Sequence, residues 1–379
     1  MNPIFAAISA STCVHKGQLS SWDLRWNVIA QSVDSRTDDE SDPTSENFVS
    51  KPRYSSVNHY ISDHPNFAGD GLNDGIKLKV SQEHIDMLKE AGIDGRLAYH
   101  FAALFFHDSL VVHEGHTDYD ENDTNHFENL NSTNWNSVRF KPPPSIDSTI
   151  GWRVEFRALD VQITDYENAA LITLLNIMTK VLNEFEIDVS MPISLIDINM
   201  ERAHTVDGVT KEKFWFRKDI VDLSSDYTKN KAQSNNWMPD EEHQPKEFSE
   251  DDFVEMSVLD ILVGNETIGN TGLMKLFEEY MNLNDYEEEI KDYYMTMLNF
   301  LVKKASGEVK TGARFIRDIV LNHPEYENDS MLNDKISFEI VKEAAALGMF
   351  TKWDESLLGT MPEFMKEHVD KIDISKIQN

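Results

Sequence analysis

The sequence predicts an α+β protein, its strands early and its helices late, and three observations carry that prediction. Over 150–163 (IGWRVEFRALDVQI), Trp152, Val154 and Phe156 alternate with Arg153, Glu155 and Arg157. That period of two puts one set on each face of a sheet. Directly afterwards, Thr164-Asp165-Tyr166-Glu167 places Thr at a helix cap and Glu three residues on, a capping box opening a helix over 165–186. Beyond residue 250, the stretches 253–263, 272–281 and 286–305 space their apolar residues at helical intervals. Strands followed by a run of helices argue against a repeating parallel sheet.

Taken in order, 4–14 (IFAAISASTCV) is apolar enough for the core of a signal peptide but has no basic residue before it, as such a leader requires. A soluble, cytoplasmic chain is expected. The polar stretch 34–52 reads as a surface loop. A helix over 82–91 stops at Gly92, a good C-terminal cap. Asp94 then caps a second helix whose Leu97, Phe101, Leu104 and Phe105 share a face. The acidic stretch 118–131 reads as a loop. The most apolar run, 169–182, is broken by Thr173, Asn176, Thr179 and Lys180, well short of the ~20 apolar residues that span a membrane. Gly307 ends the helix over 286–305, and Pro324 ends one beginning near Thr311. The implied organisation is a sheet-and-helix region over 1–218, an acidic loop or insertion over 219–250, and a helical region over 251–379.

At 379 residues the chain has room for two to three domains, and 67 acidic against 35 basic residues leave a formal charge of −32. Phosphate backbones and anionic membranes are bound by clustered Lys and Arg, so this balance argues against both as partners. With 40% hydrophobic residues the chain can bury a sizeable core. Its single cysteine, Cys13, excludes a disulfide framework and a cysteine-rich zinc site.

Several segments could carry chemistry. The face formed by Arg153, Glu155 and Arg157 reads two ways: cross-strand charge pairing in solvent, or the wall of a cleft. In a cleft, Glu155 could hold Mg²⁺ and arginine could clamp a phosphate or carboxylate. Arg139-Phe140-Lys141 runs into Pro142, Pro143 and Pro144, which hold two cations on a stiff backbone. That suits phosphate contacts and equally a rigid surface connection. Arg25 and Arg36 lie among acidic and aromatic neighbours, as a surface ion pair beside a packed Trp would also place them. His113, His116 and His126 sit among Asp118, Asp120, Asp123 and Glu128, but a calcium loop begun at Asp118 has Asp123 where the turn glycine belongs. A solvated loop is the simpler reading. A glycine-rich phosphate loop, a nucleophile elbow and a dinucleotide fingerprint are absent.

Taken together, these segments become recognisable. Ser132-Thr133-Asn134-Trp135, then Arg139 to Pro144, then Gly151-Trp152-Arg153-Val154-Glu155-Phe156-Arg157 and Gln162-Ile163-Thr164-Asp165-Tyr166-Glu167-Asn168 closely resemble the eukaryotic-type glutamate–cysteine ligase catalytic subunit family. Asp23-Leu24-Arg25-Trp26, Ser32 to Thr37, Phe214 to Lys218 and Ala305-Ser306-Gly307-Glu308 look like the same family. The resemblance implies a fold similar to glutamine synthetase, an antiparallel sheet curled into a funnel with helices outside. It also implies ATP- and Mg²⁺-dependent joining of the glutamate side-chain carboxylate to the cysteine amine, through a γ-glutamyl phosphate, as the first step of glutathione synthesis. By the same resemblance, Glu155 is the Mg²⁺ ligand, Arg157 meets the transferring phosphate or the substrate carboxylate, and Arg25 belongs to the glutamate site. Arg139 and Lys141 are the expected ATP phosphate contacts.

Two departures accompany the resemblance. Where the family has Pro, Met and Glu after the strand's arginine, this chain has Ala158, Leu159 and Asp160. Family members also carry a long N-terminal portion ahead of the segment found here, which supplies further strands and most of the Mg²⁺-binding glutamates. The chain is therefore expected to be the C-terminal part, active with an N-terminal half supplied separately or from upstream sequence, and open to a regulatory subunit. The competing expectation is a non-catalytic truncated relative that binds ligand or regulates a full-length enzyme. An acidic calcium-binding module over 118–128 is a third.

Overall fold

A computed structural model describes residues 1–61, 72–74, 78–107, 110–115, 117–118, 120, 124–145, 147–185, 187–218, 220 and 250–369. The predicted helix after the central strand is there, Asp165–Glu184. Its Thr164 hydroxyl accepts from the Glu167 N–H, and the Glu167 carboxylate accepts from the Thr164 N–H at 3.2 Å. Ala170, Leu174, Ile177 and Val181 give this helix a fully buried stripe, which packs against the helix Glu288–Ser306. Thr164→Ala is expected to lower stability by about 1 kcal/mol, read as a drop in urea midpoint with unchanged slope.

The apolar N-terminal run is core. Helix Asn2–Ile8 has all seven residues buried and packs against helix Ile193–His204. Helices Gln82–Glu90 and Gly95–Leu104 stand as predicted, with Gly92 at φ +88° between them and Asp94 accepting from the N–H groups of Arg96 and Leu97. Toward the C-terminus, Leu273–Leu283, Glu288–Ser306 and Gly312–Leu321 follow the predicted spacing, with Gly307 at φ +80°. Among the described residues no helix is long and apolar enough to cross a membrane.

The described strands form four two-stranded sheets in a largely helical chain. Three pairs are antiparallel: Val14–His15 with Gln18–Leu19, Val138–Lys141 with Arg153–Phe156, and Phe214–Arg217 with Phe253–Met256. Tyr54–Ser55 runs parallel to Trp135–Asn136. Ser137 links two of these pairs, donating its N–H to the carbonyls of Ser55 and Ser56 and accepting from the N–H of Arg157. Its hydroxyl accepts from Asn2 at 2.6 Å, which ties the sheet to the N-terminal helix.

Four expectations need correction. The predicted strand over 150–163 forms a ladder only over Arg153–Phe156; it starts no earlier because its partner ends at Lys141 and Pro142 has no N–H to extend the pairing. The stretch 253–263 is not one helix: Phe253–Met256 pairs as a strand, and Ser257 then caps the helix Val258–Val263. The acidic stretch 118–131 contains most of a helix, Asn125–Thr133, whose Phe127 ring packs 5.6 Å from Phe101 and 5.4 Å from Phe105. Two apolar residues give little periodicity, so tertiary contact decides it. The loop over 34–52 includes a one-turn helix, Asp38–Ser41, closed by a Thr37–Glu40 capping box. Most of the segment 219–250 lies outside the described residues.

Four imidazoles among the described residues are held neutral by burial. Burial lowers His59 to about 4, His100 to about 3, His107 to about 4 and His204 to about 4. Their folded values lie below the ordinary one, so the unfolded chain takes up protons first as pH falls. The stability they confer is complete above about 6.5 and lost progressively down to about 3. Urea midpoints should therefore fall between pH 7 and pH 5, by up to about 1 kcal/mol per pH unit for each imidazole.

Candidate active site

The hairpin of Val138–Lys141 and Arg153–Phe156 carries the candidate site. Directly paired residues of an antiparallel ladder point to the same side. The register pairs Arg139 with Glu155 and Lys141 with Arg153, while Val138 meets Phe156 and Phe140 meets Val154. One face thus holds Arg139, Lys141, Arg153, Glu155 and Arg157, four cations against one carboxylate in a chain of charge −32.

The polar face is the more covered of the two, with the Lys141 and Glu155 side chains still 42% and 36% exposed. Val154 is 59% exposed, Trp152 49% and Phe156 39%, and Phe140 stacks on Trp152 at 4.6 Å. The Arg157 side chain is only 7% exposed. Past the ladder the covered side switches: Ala158, Asp160 and Gln162, in step with the exposed Trp152, Val154 and Phe156, are buried, and Val161 faces solvent. A strand that turns apolar residues outward and charges inward contradicts the ordinary partition of residues. A face built for polar ligands accounts for it.

Arg157 approaches Glu155 to 2.9 Å and Lys141 approaches it to 3.5 Å. Partial burial pushes the Glu155 carboxyl up, but Arg157, Lys141 and Arg139 outweigh burial and hold it below the usual range. Burial lowers the guanidiniums of Arg139 and Arg157 against the opposing pull of Glu155. The Nε of Arg139 and that of Arg153 are buried without a hydrogen-bond partner among the described residues. An unsatisfied buried cationic donor is costly, and an anion on this face would satisfy it.

Mg²⁺ asks for about six oxygens in near-octahedral array. This face offers one carboxylate already engaged by two cations, and the described residues hold no cluster of three or more His, Cys, Asp or Glu suited to a metal. On its own, this residue set does not fit a Mg²⁺ ion. It fits an anion.

The other sequence candidates separate. Arg25 pairs with Asp160 at 3.2 Å, outside the hairpin's charged face. Arg36 is held by Asp34 of its own loop and by the Val49 carbonyl. The ring of His126 lies 3.3 Å from the Asp118 carbonyl, while His116 and Asp123 lie outside the described residues. Sequence reasoning missed Arg53 and Tyr54. Tyr54 pairs through its backbone with Trp135 and stacks on Trp26 at 6.2 Å. Burial raises its phenol, against Arg157 and Arg53. Arg53 donates to Asn134 at 2.9 Å beside a small open pocket that Lys51, Lys79 and His107 also line. The available signal was Lys51-Pro52-Arg53-Tyr54, a second cation-rich segment stiffened by proline.

The family model for glutamate-cysteine ligase matches residues 1–347. The glutamate–cysteine ligase catalytic subunit of Mus musculus is 37% identical over 347 residues, covering 89% of this chain and 52% of that protein. That of Homo sapiens is 35% identical over 379 residues, covering 98% and 57%. The glutamate–cysteine ligase of Dictyostelium discoideum is 32% identical over 369 residues, covering 96% and 55%. The chain thus spans about half the length of the curated relatives it matches, and nearly all of it takes part in the match. A charged hairpin face turned inward and matches of this extent lead to one conclusion: the chain belongs to the glutamate–cysteine ligase family.

Proposed function

We propose that this chain supplies the anion-binding wall of a glutamate–cysteine ligase, which forms γ-glutamylcysteine from L-glutamate, L-cysteine and ATP in the first step of cytoplasmic glutathione synthesis. The inward cationic face of the hairpin is the observation that carries this reading. In the proposed reaction a glutamate side-chain oxygen takes the terminal phosphoryl group of ATP and ADP leaves. The cysteine amine then attacks the acyl carbon, and phosphate departs as the amide forms. Both steps gather negative charge on phosphoryl oxygens, and fixed cations stabilise that charge more than they stabilise the ground state.

Arg157, with Glu155 beside it, is assigned to the transferring phosphoryl group and substrate carboxylate. Arg139 and Lys141 are assigned to the nucleotide phosphates and Arg25 to glutamate. Among the described residues Glu155 would be one carboxylate toward a divalent ion whose other ligands come from the nucleotide and from further protein. A glutamine-synthetase-like funnel would seat the hairpin with its charged face inward and its apolar face against further protein. That arrangement makes activity dependent on a second half of the site, whether a separate polypeptide or contiguous sequence.

The test is ADP release by the purified chain with ATP, Mg²⁺, glutamate and cysteine, each omitted in turn, with circular dichroism on the same sample. Turnover needing all four would show that this chain completes the site unaided. A folded, silent sample that still binds ATP would place the missing ligands elsewhere. One that binds neither ATP nor glutamate would overturn the reading and favour a non-catalytic regulatory relative.

A further inference from the structure

We infer that Asp160 is the positioning residue that sets Arg25 as a carboxylate clamp beside the hairpin, and that its short side chain fixes how far the clamp reaches. The inference rests on the proposed role of Arg25 in binding glutamate and adds the group that orients it.

Asp160 is 3% exposed and held from several sides. Its N–H donates to the Ser9 hydroxyl at 3.2 Å, and its Oδ2 accepts from the Ser11 N–H at 3.4 Å. The Thr12 side chain lies beside the carboxylate and favours its charged form. The segment that makes these contacts continues from the fully buried helix Asn2–Ile8, so the carboxylate is a rigid fixture. Gln162, two residues on, bonds the Ser9 and Asp160 carbonyls and fixes the backbone as well.

Against this fixture Arg25 donates through Nε alone, at 3.2 Å to Oδ1. Its two terminal amino groups have no hydrogen-bond partner among the described residues, and its side chain remains 38% exposed. A guanidinium gripped at Nε and open at its two outer nitrogens presents a planar fork, which matches the two oxygens of a carboxylate. Two links relate this fork to the hairpin, one through an aromatic stack and one along the chain. Trp26, the next residue, stacks on Tyr54 beside Arg157, and Asp160 lies three residues beyond Arg157 on the same chain. Because an aspartate is one methylene shorter than a glutamate, it draws the fork back toward the core.

Three measurements test this: calorimetric binding of L-glutamate, calorimetric binding of ATP, and thermal melting, on the full chain and its variants. Asp160→Asn should weaken L-glutamate binding about tenfold, the loss of one charge-assisted hydrogen bond that orients the clamp, with ATP affinity within about twofold. Asp160→Glu, which restores the charge and moves the fork outward, should recover part of the glutamate affinity, with ATP affinity again within about twofold. Equal losses for glutamate, ATP and melting would reduce Asp160 to a structural role and overturn the inference. So would unchanged glutamate binding in Asp160→Asn, with the site reading left standing. A wild-type chain that binds ATP but not glutamate would overturn both the role of Arg25 and this inference.

Discussion

Arg157→Ala should cripple catalysis in any preparation that makes γ-glutamylcysteine, lowering kcat/KM by about a hundredfold to a thousandfold. The guanidinium is nearly buried beside Glu155, with Arg139 and Lys141 on the same face. Its removal takes away a cation fixed where charge develops and leaves the Glu155 carboxylate with less compensation. Arg157→Lys keeps the charge but loses the planar fork, so it should restore only part of the rate. In the isolated chain the same substitution should weaken calorimetric binding of ATP. Lys335→Ala, on a surface lysine 73% exposed and paired with Glu325, should change neither. Equal losses in both variants would show that the hairpin is not the site.

Lys304→Ala should be the most destabilising single change. Its ammonium is 1% exposed, 2.7 Å from the fully buried Glu167 and 3.1 Å from the Gln162 side-chain oxygen. Removing one partner strands an uncompensated charge in the core, which costs about 3–5 kcal/mol. The same Glu167 carboxylate closes the capping box at Thr164, so the damage reaches the start of the central helix. Adding Glu167→Gln to Lys304→Ala should recover much of the loss, because a glutamine still caps the helix and buries no charge. Urea unfolding of both variants checks this, and additive losses would argue against a shared network.

Much of the fold was legible locally. Thr164, Asp94 and Thr311 cap the helices that their side chains announce, and Gly92 and Gly307 stop theirs, because caps and stops depend on neighbours within one turn. The strand-and-loop assignments were less secure. Phe253–Met256 reads as the start of a helix until Phe214–Arg217 lies beside it, and Asn125–Thr133 reads as loop until Phe127 meets Phe101 and Phe105. Contacts made across about twenty residues or more need leave no periodic trace in either partner.

The candidate site divides the same way. By itself the sequence determined the alternation of Arg153, Glu155 and Arg157, the stiff cationic segment before Pro142 and the family to which both belong, because residue order and spacing carry that information. Only the tertiary structure decided that this polar face turns inward while Trp152, Val154 and Phe156 face out. It also set Arg139 opposite Glu155 and bound Arg25 to a buried Asp160. Period two assigns residues to two faces but never says which face is covered. That depends on what packs against the sheet, and on contacts between residues more than a hundred positions apart.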